Sequence, residues 1–166
     1  MLRMRSAEVL GLTLALVGSV REAKGQSVSD TIHIEMSASR AMLAHLDPGN
    51  TTFALDPRVA SSEQEAPTNA RVVRAENRTA AITKALGGRV QTLEEVTCGM
   101  CHLNGVSAHL SLASPQIYGS TATITATSLQ NVDNERQPVY YQTVCITLSR
   151  TKTGWTVTRE EQLSSS

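Results

Sequence analysis

The densest run of reactive side chains in this 166-residue chain is Cys98-Gly99-Met100-Cys101-His102. Two thiols three residues apart can close a disulfide across a tight turn. A pair of thiolates beside an imidazole can also ligate a soft metal ion. Cys145 is the third cysteine, so three single bridges are possible. A bridge between Cys98 and Cys101 is the simplest and leaves Cys145 as a free thiol. A bridge from either to Cys145 would close a long loop and stabilise by about 3–4 kcal/mol in the chain-entropy model. Zinc would draw on Cys98, Cys101, His102 or His109, and Cys145. The ligand spacing is right only for the first pair, so no metal site is expected. Thiol–disulfide exchange would want Cys-x-x-Cys to lead into a helix. Here the residues after Cys101 read as strand.

The same five residues spell the attachment pattern of c-type haem. Cys98 and Cys101 would add to the haem vinyl groups, and His102 would reach the iron axially. Covalently attached haem c is the one cofactor the sequence offers, and an electron-transfer protein is the alternative it implies. A second axial ligand would come from His33, His45, His109, Met36 or Met42, none at a spacing that marks it. The setting argues the other way. Only Phe53 and Trp155 are large aromatics other than tyrosine, and a haem needs several such walls.

The elements that position this segment begin with an address. Arg3 and Arg5 precede an uncharged run from Val9 to Val20, and Ala23 and Gly25 stand in the small-x-small arrangement of a cleavage site. Residues 1–25 read as a signal peptide, too short for a permanent membrane span. The expected location is exported, periplasmic or extracellular. Formal net charge is zero and aromatics make up 3% of residues. That excludes a basic nucleic-acid binder, and no aromatics interleave the cations for base stacking.

The remainder reads as one domain, with a helix and loop over 26–69 and a helix plus antiparallel meander over 70–166. Val28 to Leu46 reads as a helix, capped by Ser29 or Asp30 and stopped by Asp47-Pro48-Gly49. Residues 47–69 read as a long loop, with a short extended piece at Thr52 to Leu55 before Asp56-Pro57. A second helix follows Pro67-Thr68-Asn69 and ends at Gly87-Gly88. Its apolar stripe is Val72, Ala75, Thr79, Ile82 and Leu86, and its solvated face is Arg71, Arg74, Glu76, Arg78 and Lys84. Strands are expected at Val90–Val96, Val106–Ala113, Ile117–Leu129, Val139–Ser149 and Trp155–Leu163. The fold class is α+β: two N-terminal helices packed on a curved antiparallel sheet of four to five strands.

Helices followed by a meander, with Ser114-Pro115-Gln116-Ile117-Tyr118-Gly119 feeding Thr121-Ala122-Thr123-Ile124, resemble the nuclear-transport-factor-like family of cone-shaped, cystatin-like α+β domains. Gly154-Trp155 is similar to the pair that opens that family's final strand. The resemblance spans roughly residues 70 to 163. It implies a cone that hosts isomerases, cyclases and many non-enzymatic exported domains. The enzymes among them place a carboxylate base, with Tyr or Asp donors, inside the cone. From Val106 to Leu148 the only acidic residues are Asp133 and Glu135, in a turn, and Glu94 and Glu95 are the earlier candidates. No catalytic residue is therefore expected, and a cone-fold isomerase or cyclase is a further alternative. His109, Tyr118, Tyr140 and Tyr141 are the candidates to line a pocket. The function expected is an exported, non-enzymatic domain that binds a small apolar ligand or a protein partner on its concave sheet face.

Overall fold

The computed structural model describes residues 27–46, 52–60, 72–74, 76–98, 102–132 and 139–166. The expected signal peptide lies outside the described residues, as do Asp47-Pro48-Gly49 and Cys101. The chain is α+β, with three helices and ten strands among those residues. Within the described residues no helix is long and apolar enough to cross a membrane.

Helix α1 spans Val28–Ala44. Its N-cap is Ser27, whose Oγ accepts from the Asp30 backbone N–H at 3.1 Å, so the cap stands two residues before Ser29 and three before Asp30. Ile34, Ala38 and Met42 recur every fourth residue and are buried in the main core. The neighbouring stripe, Thr31, Glu35 and Ser39, is buried as well. Helix α2 spans Glu76–Leu86 and begins later than its apolar stripe implies, because Val72–Val73 form strand β2 instead. Gly87, at φ +79°, ends the helix in a conformation only glycine adopts without strain. The next residue, Gly88, lies under the Phe53 ring, which would stand 2.3 Å from an added Cβ.

Strand β1 spans Phe53–Ala60 and is longer than the short extended piece expected before Asp56-Pro57. Pro57 is tolerated because the ladder to strand β6, Ala108–Ala113, shifts register between Leu55 and Val59. β1 runs parallel to β6, and parallel also to β3, Arg89–Val90. Its distal half pairs antiparallel with β2.

Leu93–Val96 is a short helix, α3, and not part of a strand. Thr92 and Glu95 form a reciprocal capping box that starts it. β4, Thr97–Cys98, and β5, His102–Leu103, then pair as a separate two-stranded ladder. The expected strand at Ile117–Leu129 is divided. Gln116–Tyr118 forms β7, the Gly119-Ser120 turn follows, and Thr121–Asn131 forms β8. β9, Val139–Thr151, and β10, Gly154–Ser165, complete the meander.

One eight-stranded mixed sheet results, in the order β10-β9-β8-β6-β1-β2, with β3 beside β1 and β7 beside β8. It replaces the antiparallel sheet of four to five strands, because the segment read as loop supplies the parallel strand β1. Among the described residues only α1 precedes the sheet. Ile34, Ala38 and Met42 of α1 and Ile82 of α2 pack with Leu55, Leu110, Leu112, Ile124, Ile146 and Leu148 on one sheet face. A smaller core of Ala54, Leu93, Val96, Leu103 and Val106 sits on the other face, at the β1/β6 end. Asn131 fastens β5 there, accepting from the Leu103 N–H at 2.7 Å and donating to its carbonyl at 3.0 Å.

Candidate functional site

Burial of charge singles out one region. Glu35 and Asp56 are both 0% exposed, and Arg74 is 1% exposed. Burying a carboxylate this deeply is costly unless it is paired and hydrogen-bonded, and each is.

On the helix side, Arg74 follows β2 and reaches into the core. Its Nε donates to Glu35 Oε1 at 3.2 Å, Nη1 to the Asp56 carbonyl at 2.6 Å and Nη2 to the Leu112 carbonyl at 2.9 Å. One guanidinium thereby ties α1 to β1 and β6. Arg78 of α2 brings its Nε to 2.9 Å from Glu35 Oε2, an ion pair too poorly angled to be a hydrogen bond. Burial pushes the Glu35 carboxyl up from its usual range, against the pull of Arg74 and Arg78. Burial likewise lowers the Arg74 guanidinium, against the pull of Glu35. The Ser39 and Thr79 hydroxyls are buried in this part of the fold without a hydrogen-bond partner. Arg74 was expected on a solvated helix face. It lies outside α2 and is among the most buried side chains, because it neutralises Glu35.

On the other face, Asp56 Oδ1 accepts from the Arg58 backbone N–H at 2.9 Å and from Arg58 Nε at 3.0 Å. Asp56 Oδ2 accepts from Arg58 Nη2 at 2.9 Å and from the Leu93 N–H, at the start of α3, at 3.3 Å. Arg58 also grips Glu94 of α3 through two bonds, at 3.1 and 2.8 Å. These bonds to Asp56 and Glu94 raise the Arg58 guanidinium above its usual value, and Arg58 in turn lowers the Glu94 carboxyl. His109 of β6 is fully buried beside them, with Nε2 3.3 Å from the Gln91 carbonyl and 3.6 Å from Asp56 Oδ2. Burial lowers its pKa, opposed by Asp56. Assigned as the neutral tautomer with the proton on Nε2, it donates to Gln91 and leaves Nδ1 as a bare acceptor. That Nδ1, the Ser111 Oγ and the Gln91 Oε1 are buried without partners.

Asp56, His109 and Ser111 are the residue types of a nucleophilic triad. The arrangement does not work as one. Asp56 is committed to Arg58, no hydrogen bond joins His109 to Ser111, and His109 and Ser111 are both 0% exposed. Glu35, the buried carboxylate an isomerase base would require, is committed to two arginines. Both clusters therefore act as fasteners: one holds α1 and α2 against β1 and β6, the other holds α3 against β1. No sequence pattern flagged Glu35 or Asp56. Glu35 repeats at the buried spacing of Thr31 and Ser39, which is the one signal that could have found it.

The residues singled out by type are spread apart. Cys98 pairs with His102 across β4–β5, and His102 is exposed. A bridge from Cys98 to Cys101 falls outside the described residues, whereas Cys145 is a free thiol, so neither bridge to Cys145 forms. Cys145 lies on the face opposite Val144, Ile146 and Leu148, with Thr125 and Glu161 as its cross-strand neighbours. Of the haem-attachment residues, Cys101 lies outside the described ones. Cys98 and His102 are on paired strands and not on a helix, and the apolar neighbours Leu93, Val96, Leu103 and Val106 are buried against one another. Of the axial candidates, Met42 is buried in the main core, on the far side of the sheet from β5, and His33 is exposed. His45 pairs with Glu160 at 2.6 Å.

The four pocket candidates do not converge. His109, Leu129 and Tyr141 occupy one rung of the sheet and share the face opposite α1 and α2, where Leu129 packs against the smaller core that includes α3. There the Tyr141 hydroxyl accepts from the Thr143 Oγ1 at 2.9 Å, and Thr143 meets Thr127 at 3.2 Å. Tyr140 alternates to the helix side. Tyr118 is 66% exposed at the far end of β8, bonded to Gln116. Among the described residues no group of three His, Cys, Asp or Glu side chains could hold a metal ion. Compared with protein-family models, curated proteins and solved structures, the chain matches none at a significant level.

Proposed function

We propose that this chain is an exported, non-enzymatic α+β domain of the cone-shaped, nuclear-transport-factor-like kind, and that it binds a protein partner on the β8–β10 side of its sheet. One observation carries the reading: the two sheet faces are unequal. The apolar face is filled by α1 and α2, so a small apolar ligand would have to displace Ile34, Ala38 and Met42. The opposite face over β8–β10 has no helix packed on it among the described residues. It presents half-buried Thr121, Thr123, Thr125, Cys145 and Thr147, with exposed Arg159 and Glu161 beside them.

Three further features support the cone. Both long helices lie on one side of the sheet, the last four sheet strands in the chain form an antiparallel run, and Gly154-Trp155 opens β10. Support for a non-enzymatic role is that Glu35 and Asp56 are each held by arginine. Export rests on the leader pattern of residues 1–25.

Two measurements test this. In a host with a secretion pathway, the chain should be found outside the cytoplasm with the mass of a chain beginning at Gln26; a full-mass cytoplasmic chain contradicts export. A photo-crosslinking residue at Thr123 or Thr147, used in the cells that make the protein, should give a discrete larger adduct, and one at the exposed Arg40 of α1 should give none. Adducts from Arg40 alone would contradict the binding surface. A Soret band that survives denaturation and disappears in Cys98→Ala would instead restore the haem reading.

A further inference from the structure

We infer that the chain also pairs with a second copy of itself, joined through β10 as an antiparallel edge-to-edge pair. This goes beyond the binding reading above, because an edge pair extends the sheet and leaves the face at Thr123 and Thr147 uncovered. β10 is the terminal strand of the eight-stranded sheet, paired with β9 on one side and with no strand on the other among the described residues. It is twelve residues long, and Thr158 to Leu163 are all exposed. Edges of this length present a row of backbone donors and acceptors, which proteins usually blunt with proline, lysine or bulges. β10 contains no proline and no lysine. It does carry two register shifts, between Val157 and Arg159 and between Gln162 and Ser164. These leave Arg159 to Gln162 as the regular stretch.

The side chains of that stretch specify a register. Arg159 and Glu161 share the helix-free face, 3.0 Å apart, with 70% and 57% of their side-chain surface exposed. Two copies of β10 laid antiparallel about a two-fold axis at Glu160 bring Arg159 opposite the partner's Glu161, and Glu161 opposite the partner's Arg159. The existing pair becomes a four-charge alternating cluster, and opposite charges directly across a ladder are favourable. Placing the axis at Arg159 or at Glu161 would set that residue against its own copy and lose both pairs. With the axis at Glu160, the pairs fall within the regular stretch, and Thr158 and Leu163 stand at the two register shifts that bound it. Such an interface is isologous, as a closed dimer requires. Glu160 itself sits on the axis, on the helix side, where each copy's carboxylate is held 2.6 Å from its own His45 Nε2. The regular ladder is short and two carboxylates face each other at its centre, so the dimer is weak and forms by mass action.

Sedimentation of the full chain over a wide dilution series tests the pairing. The mass should pass from one chain to two as concentration rises. Arg159→Glu and Glu161→Arg, each exposed and each confirmed folded by circular dichroism, should remain single chains at every concentration. The double variant carrying both reversals restores the opposed charges and should dimerise again. Glu160→Gln removes the axial repulsion and should shift dimerisation to lower concentration. A wild-type chain that stays at one mass throughout, a dimer indifferent to both single reversals, or a double variant that stays single would overturn the inference. None of these outcomes bears on export or on the crosslinks at Thr123 and Thr147. Adducts there with a monomeric chain would leave the binding surface standing.

Discussion

The two ends of the sheet are built on different physical terms. Over β8–β10 one face is apolar and covered and the other is hydroxylated and half open, and the side chains alternate accordingly. At β1 and β6 both faces are covered: all six residues of β6 are buried, His109 and Ser111 included. Charged groups trapped there are held by arginines, two of them distant in the chain and one only two residues away. Glu35 finds Arg74 and Arg78, and Asp56 finds Arg58. One end is held by apolar burial and ladder bonds. The other adds charges that stabilise only while every partner is present.

The comparison breaks hardest at Arg74. Arg74→Ala leaves Glu35 buried beside a single, partly exposed arginine and strips the Asp56 and Leu112 carbonyls of their donor. Urea unfolding should show a loss of about 3–5 kcal/mol, the usual cost of breaking a buried pair from one side. Next in size is Gly88→Ala, whose Cβ would meet the Phe53 ring at 2.3 Å. Overpacking of this kind costs about 1–3 kcal/mol, and the companion change Phe53→Leu should recover part of the loss.

How much of this was legible in the sequence follows the same division. The strands of the meander, the Gly154-Trp155 opening of β10 and the helix in Val28–Leu46 all announce themselves by period, because each has one wet face. Strand β1 did not. Asp56-Pro57 looks like a breaker in sequence, and the bulge in β1 that contains Pro57, with the Arg58 grip on Asp56, lets the strand continue through it. Arg74 read as solvent-facing because a residue's period cannot report a partner 39 positions away. The Thr92–Glu95 capping box that starts α3 lies inside the segment Val90–Val96, which reads as a strand by its apolar residues.

A pH dependence sharpens the contrast. His109 is buried neutral, its pKa lowered from the ordinary 6.5 by burial. In the unfolded chain it takes up its proton near the ordinary value, so protons favour unfolding in the window below. Its contribution is fully present above pH ~6.5 and is lost as pH falls toward the lower folded-state pKa. The fall in melting temperature over that window should be shallower in His109→Gln. At the other end of the sheet, Thr147→Val alters one half-buried hydroxyl on the open face and should change stability by less than about 0.5 kcal/mol.

The sharpest test of the claim that the buried charges are fasteners is a double-mutant cycle on Glu35 and Arg74, read by urea unfolding. Glu35→Leu and Arg74→Leu should each destabilise strongly, and the pair changed together should lose clearly less than the two losses added. Single variants that keep wild-type stability, or losses that simply add, would contradict it.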